Sequence, residues 1–186
     1  MTLQSLKKNL QERIKASEGK RIFFFDESRF GTHSKIGHGW YKTGSRTRVD
    51  VKLGFQNFYV YSAVEPSNGG NFSLILPYVN THCMNLFLSQ LSNELSGEDA
   101  IVIVDGAGWH KSKDLIVPKN IELVYLPPYS PELNPVERLW LYIKKAILYN
   151  KIYENLEDLE DSVCDFLNKI DCHTISSICS IAYMLS

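Results

Sequence analysis

Tyr125-Leu-Pro-Pro-Tyr-Ser-Pro-Glu-Leu-Asn-Pro-Val-Glu-Arg-Leu-Trp140 leads a stiff loop straight into a helix. Pro127, Pro128 and Pro131 remove backbone donors and narrow the loop's conformational freedom. Asn134 suits an N-cap, and Pro135 the first helical position, where a missing N–H costs nothing. Val136, Leu139, Trp140, Ile143 and Ile147 then recur at helical spacing, while Glu137, Leu141 and Lys144 share a different face. Glu137 has two readings. It is a capping-box carboxylate reaching back to the Asn134 backbone, or it is a carboxylate that the loop delivers to a site.

Upstream, Ile121–Leu126 reads as a buried strand running into that loop. Two similar apolar runs end in acids: Arg21-Ile-Phe-Phe-Phe-Asp26 and Ala100-Ile-Val-Ile-Val-Asp105. Their aromatic and β-branched content predicts central strands. The carboxyl ends of such strands are where α/β folds place chemistry, although an acid there can also cap a turn.

The remaining segments surround these runs. Residues 2–17 form an amphipathic helix through Leu3, Leu6, Leu10 and Ile14, stopped by Gly19. It either covers the domain or connects to something upstream, so the chain divides into 1–19 and 20–186. Residues 28–48 are loop-like, and His33 and His38 lack zinc spacing. Lys42, Arg46 and Arg48 follow Trp40 and Tyr41. That mixture suits phosphate contact, and it equally suits a solvated edge hairpin. Val49–Leu53 and Phe58–Val64 read as hairpin strands, and Phe72–Leu76 continues the sheet. A helix starts at Asn80 or Thr81 and ends near Gly97. Apolar stripes after Tyr149 predict two closing helices.

Composition limits the function. The 186 residues carry 44% hydrophobic and 22% charged side chains with a net charge of -1, so any nucleic-acid contact must be local. No apolar run is long enough to span a bilayer, and the charged residues among the first twenty exclude a signal peptide. Cys83, Cys164, Cys172 and Cys179 have no metal spacing and read as buried free thiols of a cytoplasmic protein.

Two parallel strands ending at Asp26 and Asp105, with a later helix bearing Glu137, can bring three carboxylates together. Crowded acids repel and raise one another's pKa unless cations neutralise them. Oxygen-only ligands suit Mg²⁺ or Mn²⁺, and a pair of such ions serves in-line phosphoryl displacement.

Three blocks carry a family resemblance: Phe25-Asp-Glu-Ser-Arg-Phe30, Val104-Asp-Gly-Ala-Gly-Trp-His-Lys111, and the stretch from Leu126 to Trp140. They resemble the catalytic domain of a DDE transposase of the mariner superfamily, in its bacterial insertion-sequence (IS six-thirty) branch. The likeness spans roughly residues 20 to 150, and its last block is the most specific. It implies an α/β, ribonuclease-H-like (retroviral-integrase-like) fold: a mixed five-stranded sheet flanked by helices. It also implies two Mg²⁺ or Mn²⁺ ions on Asp26, Asp105 and Glu137, and transposon-end and target DNA as partners of a homodimer. DNA contacts are expected at Lys42, Arg46, Arg48, His110 and Lys111. For His110, a place behind the site and a packed or capping histidine are the competing readings. Glu27 and Glu132 are not counted as ligands. Where many relatives have Asn after the second acid, this chain has Gly106. The helix-turn-helix modules of full-length members are expected to lie outside this chain. A nuclease for RNA–DNA hybrids and a non-catalytic partner of a full transposase are the alternatives.

Overall fold

Phe23, Phe24 and Phe25 alternate between the two faces of one strand, so a helical layer must cover each face. The structure, a computed structural model, describes residues 8, 10–14, 17, 19–33, 54–127 and 130–181. Five strands form one sheet: β1 (Arg21–Gly31), β2 (Asn57–Glu65), β3 (Gly70–Leu76), β4 (Ala100–Val104) and β5 (Ile121–Tyr125), in the order β3-β2-β1-β4-β5. β1, β4 and β5 run parallel, while β2 is antiparallel to both β1 and β3. This is the mixed sheet that the resemblance implies.

One face packs against α1 (Thr81–Glu94), where Phe23 and Phe25 meet Met84, Phe87, Leu88 and Leu91. The other takes α2 (Val136–Ile147), α3 (Leu156–Lys169) and α4 (Cys172–Ile178); there Phe24 and Phe30 join Leu139, Trp140, Ile143, Leu159 and Ile175. Phe24, Phe25 and Phe30 are fully buried. Each contributes about 1.5–3 kcal/mol by leaving water. Leu10 belongs to the same core, and residues 10–14 are helical, as the stripe predicts.

The helix caps follow local chemistry. Asn80, rather than Thr81, caps α1, its side chain accepting from the Cys83 N–H at 2.8 Å. Asn155 and Asp171 cap α3 and α4 in the same way. Gly69, at φ +75°, turns β2 into β3, and a Cβ there would stand 1.8 Å from the Cys172 carbonyl oxygen. Ser176 Oγ donates to the Pro66 carbonyl at 2.9 Å, so α4 is docked on this turn.

Three expectations need correction. β1 does not end at Asp26 but continues to Gly31, because β2 pairs with it through Gly31. Residues 57–65 find their partners in β1 and β3, which occupy both edges of β2; the expected hairpin strand 49–53 lies outside the described residues. The cysteines are not all buried; Cys83 and Cys179 are, whereas Cys164 and Cys172 are exposed. Among the described residues, no helix is long and apolar enough to cross a membrane.

Candidate active site

Parallel pairing between β1 and β4 stops at Phe24 and Ile103, while β1 continues beside β2 alone. A cleft of about 440 Å³ opens where β4 gives out, and Asp26, Asp105 and Glu137 all line it. Each acid comes from a different element. Asp26 lies within β1, Asp105 follows the last residue of β4, and Glu137 stands in the first turn of α2.

Asn134 sets the approach of α2. Its Nδ2 donates to the Phe25 carbonyl at 2.9 Å, satisfying a backbone acceptor beside Asp26, and its Oδ1 accepts from the Val136 N–H at 3.2 Å. Pro135 has helical dihedrals (φ −66°, ψ −18°) although the helix is counted from Val136, so Asn134 caps this end as the sequence suggests. No hydrogen bond joins the Glu137 side chain to the Asn134 backbone among the described residues, and the Glu137 side chain is exposed.

The two aspartates are anchored differently. Asp26 Oδ2 accepts from Trp140 Nε1 at 2.9 Å. Burial, then the charges of Glu137 and Glu27, push its carboxyl up to about 8, against the pull of the Trp140 bond. Asp105 Oδ1 accepts from the Ala107 N–H at 3.0 Å and lies 2.8 Å from His110 Nδ1. The His110 hydrogen bond keeps Asp105 below the usual carboxylate range, although partial burial opposes it.

His110 corrects one expectation. It is 1% exposed and lies behind the cleft, so it cannot reach a phosphate. Its Nε2 is 2.9 Å from Glu27 Oε1, which also accepts from Trp109 Nε1 at 3.0 Å. Burial alone would lower its pKa, but the hydrogen bonds to Asp105 and Glu27 outweigh burial and lift it to about 9. Only the imidazolium donates from both nitrogens, and that is what two carboxylates require. The Tyr125 hydroxyl donates to the His110 carbonyl at 2.6 Å, tying β5 to the same turn.

Lys111 is exposed at the cleft, with Nζ 5.3 Å from the Tyr125 ring centroid. Its Nζ also lies 3.0 Å from where a Cβ on Gly106 would stand, so the lysine amine fills the space that the missing side chain leaves. Lys42, Arg46 and Arg48 lie outside the described residues. Glu27, Trp109 and Trp140 are the contributors that residue patterns did not reveal as parts of the site. The tryptophans read as ordinary apolar residues, and Glu27 as a bystander. Only the match between a buried acid and a buried histidine 83 positions apart could have linked them.

The sheet order β3-β2-β1-β4-β5, with an acid-lined cleft at the end of its parallel strands, is a ribonuclease-H-like arrangement. Residues 21–160 match the family described as DDE superfamily endonuclease, and the chain belongs to that family. A Sinorhizobium fredii protein, y4pE/y4sA, is 40% identical over 113 residues, covering 60% of this chain and 84% of that one. The 39 kDa protein of insertion element IS630 from Shigella sonnei is 27% identical over 157 residues, with 80% and 45% covered. The Tc3 transposase of Caenorhabditis elegans is 24% identical over 170 residues, with 85% and 52% covered. The structure of the Mos1 mariner paired-end complex with Mn has a TM-score of 0.72 at 18% identity, covering 94% of this chain and 56% of that one. This chain therefore spans about half the length of the IS630, Tc3 and Mos1 proteins.

Proposed function

We propose that residues 20–186 form the catalytic domain of a transposase, which cleaves a DNA strand and joins the freed 3′-hydroxyl to target DNA. The observation that carries this reading is the delivery of Asp26, Asp105 and Glu137 from three separate elements to one cleft.

The donor set fits divalent cations. It offers hard carboxylate oxygens only, and the burial and neighbouring charges that lift Asp26 to about 8 both favour a cation beside it. Among the described residues, no three His, Cys, Asp or Glu side chains already stand at ligand spacing. Trp140 anchors Asp26, and Ala107 and His110 anchor Asp105. Asp26, Asp105 and Glu137 would hold two Mg²⁺ or Mn²⁺ ions; the Mos1 complexes with Mn and with Mg support this choice. The chemistry supplied there would be Lewis-acid activation of an attacking water or 3′-hydroxyl for in-line displacement.

The chain's own residues prepare the site. Trp140 holds Oδ2 of Asp26, while Ala107 and His110 hold Oδ1 of Asp105, and both aspartates line the cleft. Glu137 is free of a capping duty. Lys111, together with Lys42, Arg46 and Arg48, would contact DNA phosphates. The Mos1 paired-end complex with left transposon end supports transposon-end DNA as a partner, and the chain would act there as a homodimer.

Nicking of a DNA duplex in Mn²⁺ tests the reading: the parent should cut and Asp105→Asn should not. Cutting confined to an RNA–DNA hybrid would replace transposition with the hybrid-nuclease alternative. No metal-dependent cutting of either substrate would leave only the non-catalytic one.

A further inference from the structure

A second groove, of about 470 Å³, lies beyond the cleft, between the far end of β1 and the C-terminal half of α2. Arg29, His33, Phe55 and Lys144 line it, and no carboxylate is among its described lining residues. Arg29 and His33 are exposed, and Lys144 is half-buried with Nζ 5.5 Å from the Phe30 ring centroid. Phe55 is 89% exposed, an unusual place for a phenyl ring. Its backbone is nonetheless confined. The Thr32 N–H donates to the Gln56 carbonyl at 3.1 Å, and a Cβ on Gly54 would stand 2.0 Å from Thr32 Oγ1. The ring is therefore held out from a tight crossing of two chain segments.

The groove continues the cleft along α2. Both lie between β1 and α2, the cleft at Asp26 and Glu137 and the groove at Arg29 and Lys144. Lys144 follows Glu137 by two helical turns on one face of α2, a rise of about 10 Å, or about three base-pair steps. Cations beside an exposed aromatic plate suit a sugar-phosphate backbone, with a base or deoxyribose against the ring.

We propose that this groove is a second DNA contact, where Arg29 and Lys144 hold backbone phosphates about three nucleotides from the scissile one and Phe55 packs on the adjoining nucleoside. The proposal rests on reading the cleft as a DNA-cleaving site.

The test is the anisotropy of a labelled DNA duplex, titrated with the whole chain between about 50 and 200 mM salt. Arg29→Gln with Lys144→Met keeps both side-chain stems and removes two cations. The slope of log affinity against log salt should become shallower by about 1.8. Phe55→Ala should weaken binding roughly fivefold or more at an unchanged slope. Lys119→Ala, at the opposite end of the sheet beside the start of β5, should change neither. A double variant with the parent's slope overturns the groove while leaving the cleft reading intact, provided the parent still cuts DNA with Mn²⁺. A parent that binds no duplex overturns both.

Discussion

His110 shows how far one buried side chain can determine a site. It lies between Glu27 and Asp105, 1% exposed, and its positive charge is what makes a 6%-exposed glutamate tolerable. His110→Ala should therefore cost about 3–5 kcal/mol in urea unfolding, because it leaves a buried carboxylate without its partner. Glu27→Gln combined with His110→Gln removes both charges and should cost clearly less than His110→Ala alone. Equal losses would mean that the pair's charge is irrelevant to stability. Trp140 gives a second case. Trp140→Phe keeps a ring in the core but loses the bond to Asp26, so about 1 kcal/mol of stability should go. Mn²⁺ affinity should fall roughly 10- to 100-fold in calorimetric titration. Unchanged affinity would reduce Trp140 to a core residue. Both partnerships were hidden in the sequence, since a tryptophan at helical spacing reads as packing and a histidine near an acid gives no distance.

At the scale of elements, the apolar runs predict β1, β4 and β5 because burial on both faces leaves little room for another conformation. The acids at Asp26 and Asp105 were legible for the same reason: a polar residue ends each run. The true end of β1 was not legible. Ser28 and Arg29 look like a loop, yet β2 pairs with them, and Glu27 and Ser28 are buried by tertiary partners. Likewise residues 57–65 gave no sign that both edges would be occupied by β1 and β3. The docking of α4 on the β2–β3 turn supplies a prediction at this scale. Gly69→Ala would drive a methyl into the Cys172 carbonyl at positive φ, where the helix backbone cannot easily yield. A loss of roughly 2–3 kcal/mol is expected in thermal or urea unfolding. A variant as stable as the parent would show that α4 can move aside without loss.

For the whole molecule, the proposed metal site on three carboxylates from distant parts of the chain would link stability to Mn²⁺. Mn²⁺ should raise the melting temperature of the parent, with the gain in stability following the logarithm of metal concentration over its dissociation constant. Asp105→Asn and Glu137→Gln should lose most of that rise. Because Glu137 makes no capping-box bond, Glu137→Gln should also melt close to the parent when metal is removed by chelation. Equal metal-induced shifts in all three proteins would show that these acids do not hold the ions. The near-neutral net charge of -1 fits this picture, with positive charge gathered at particular places, such as the groove by Lys144, rather than spread over the surface.

The attachment of α2 to β1 through Asn134 and Trp140 also sets an order of events during synthesis. A ribosome releases Asp26 and Asp105 first, and at about 5–20 residues per second Glu137 follows some seconds later. Until α2 has been made and has closed onto the middle of β1, the emerging chain has two of its three acids. A product interrupted anywhere before Glu137 thus lacks the third acid of the proposed centre, so DNA cleavage would arrive only with a nearly finished fold.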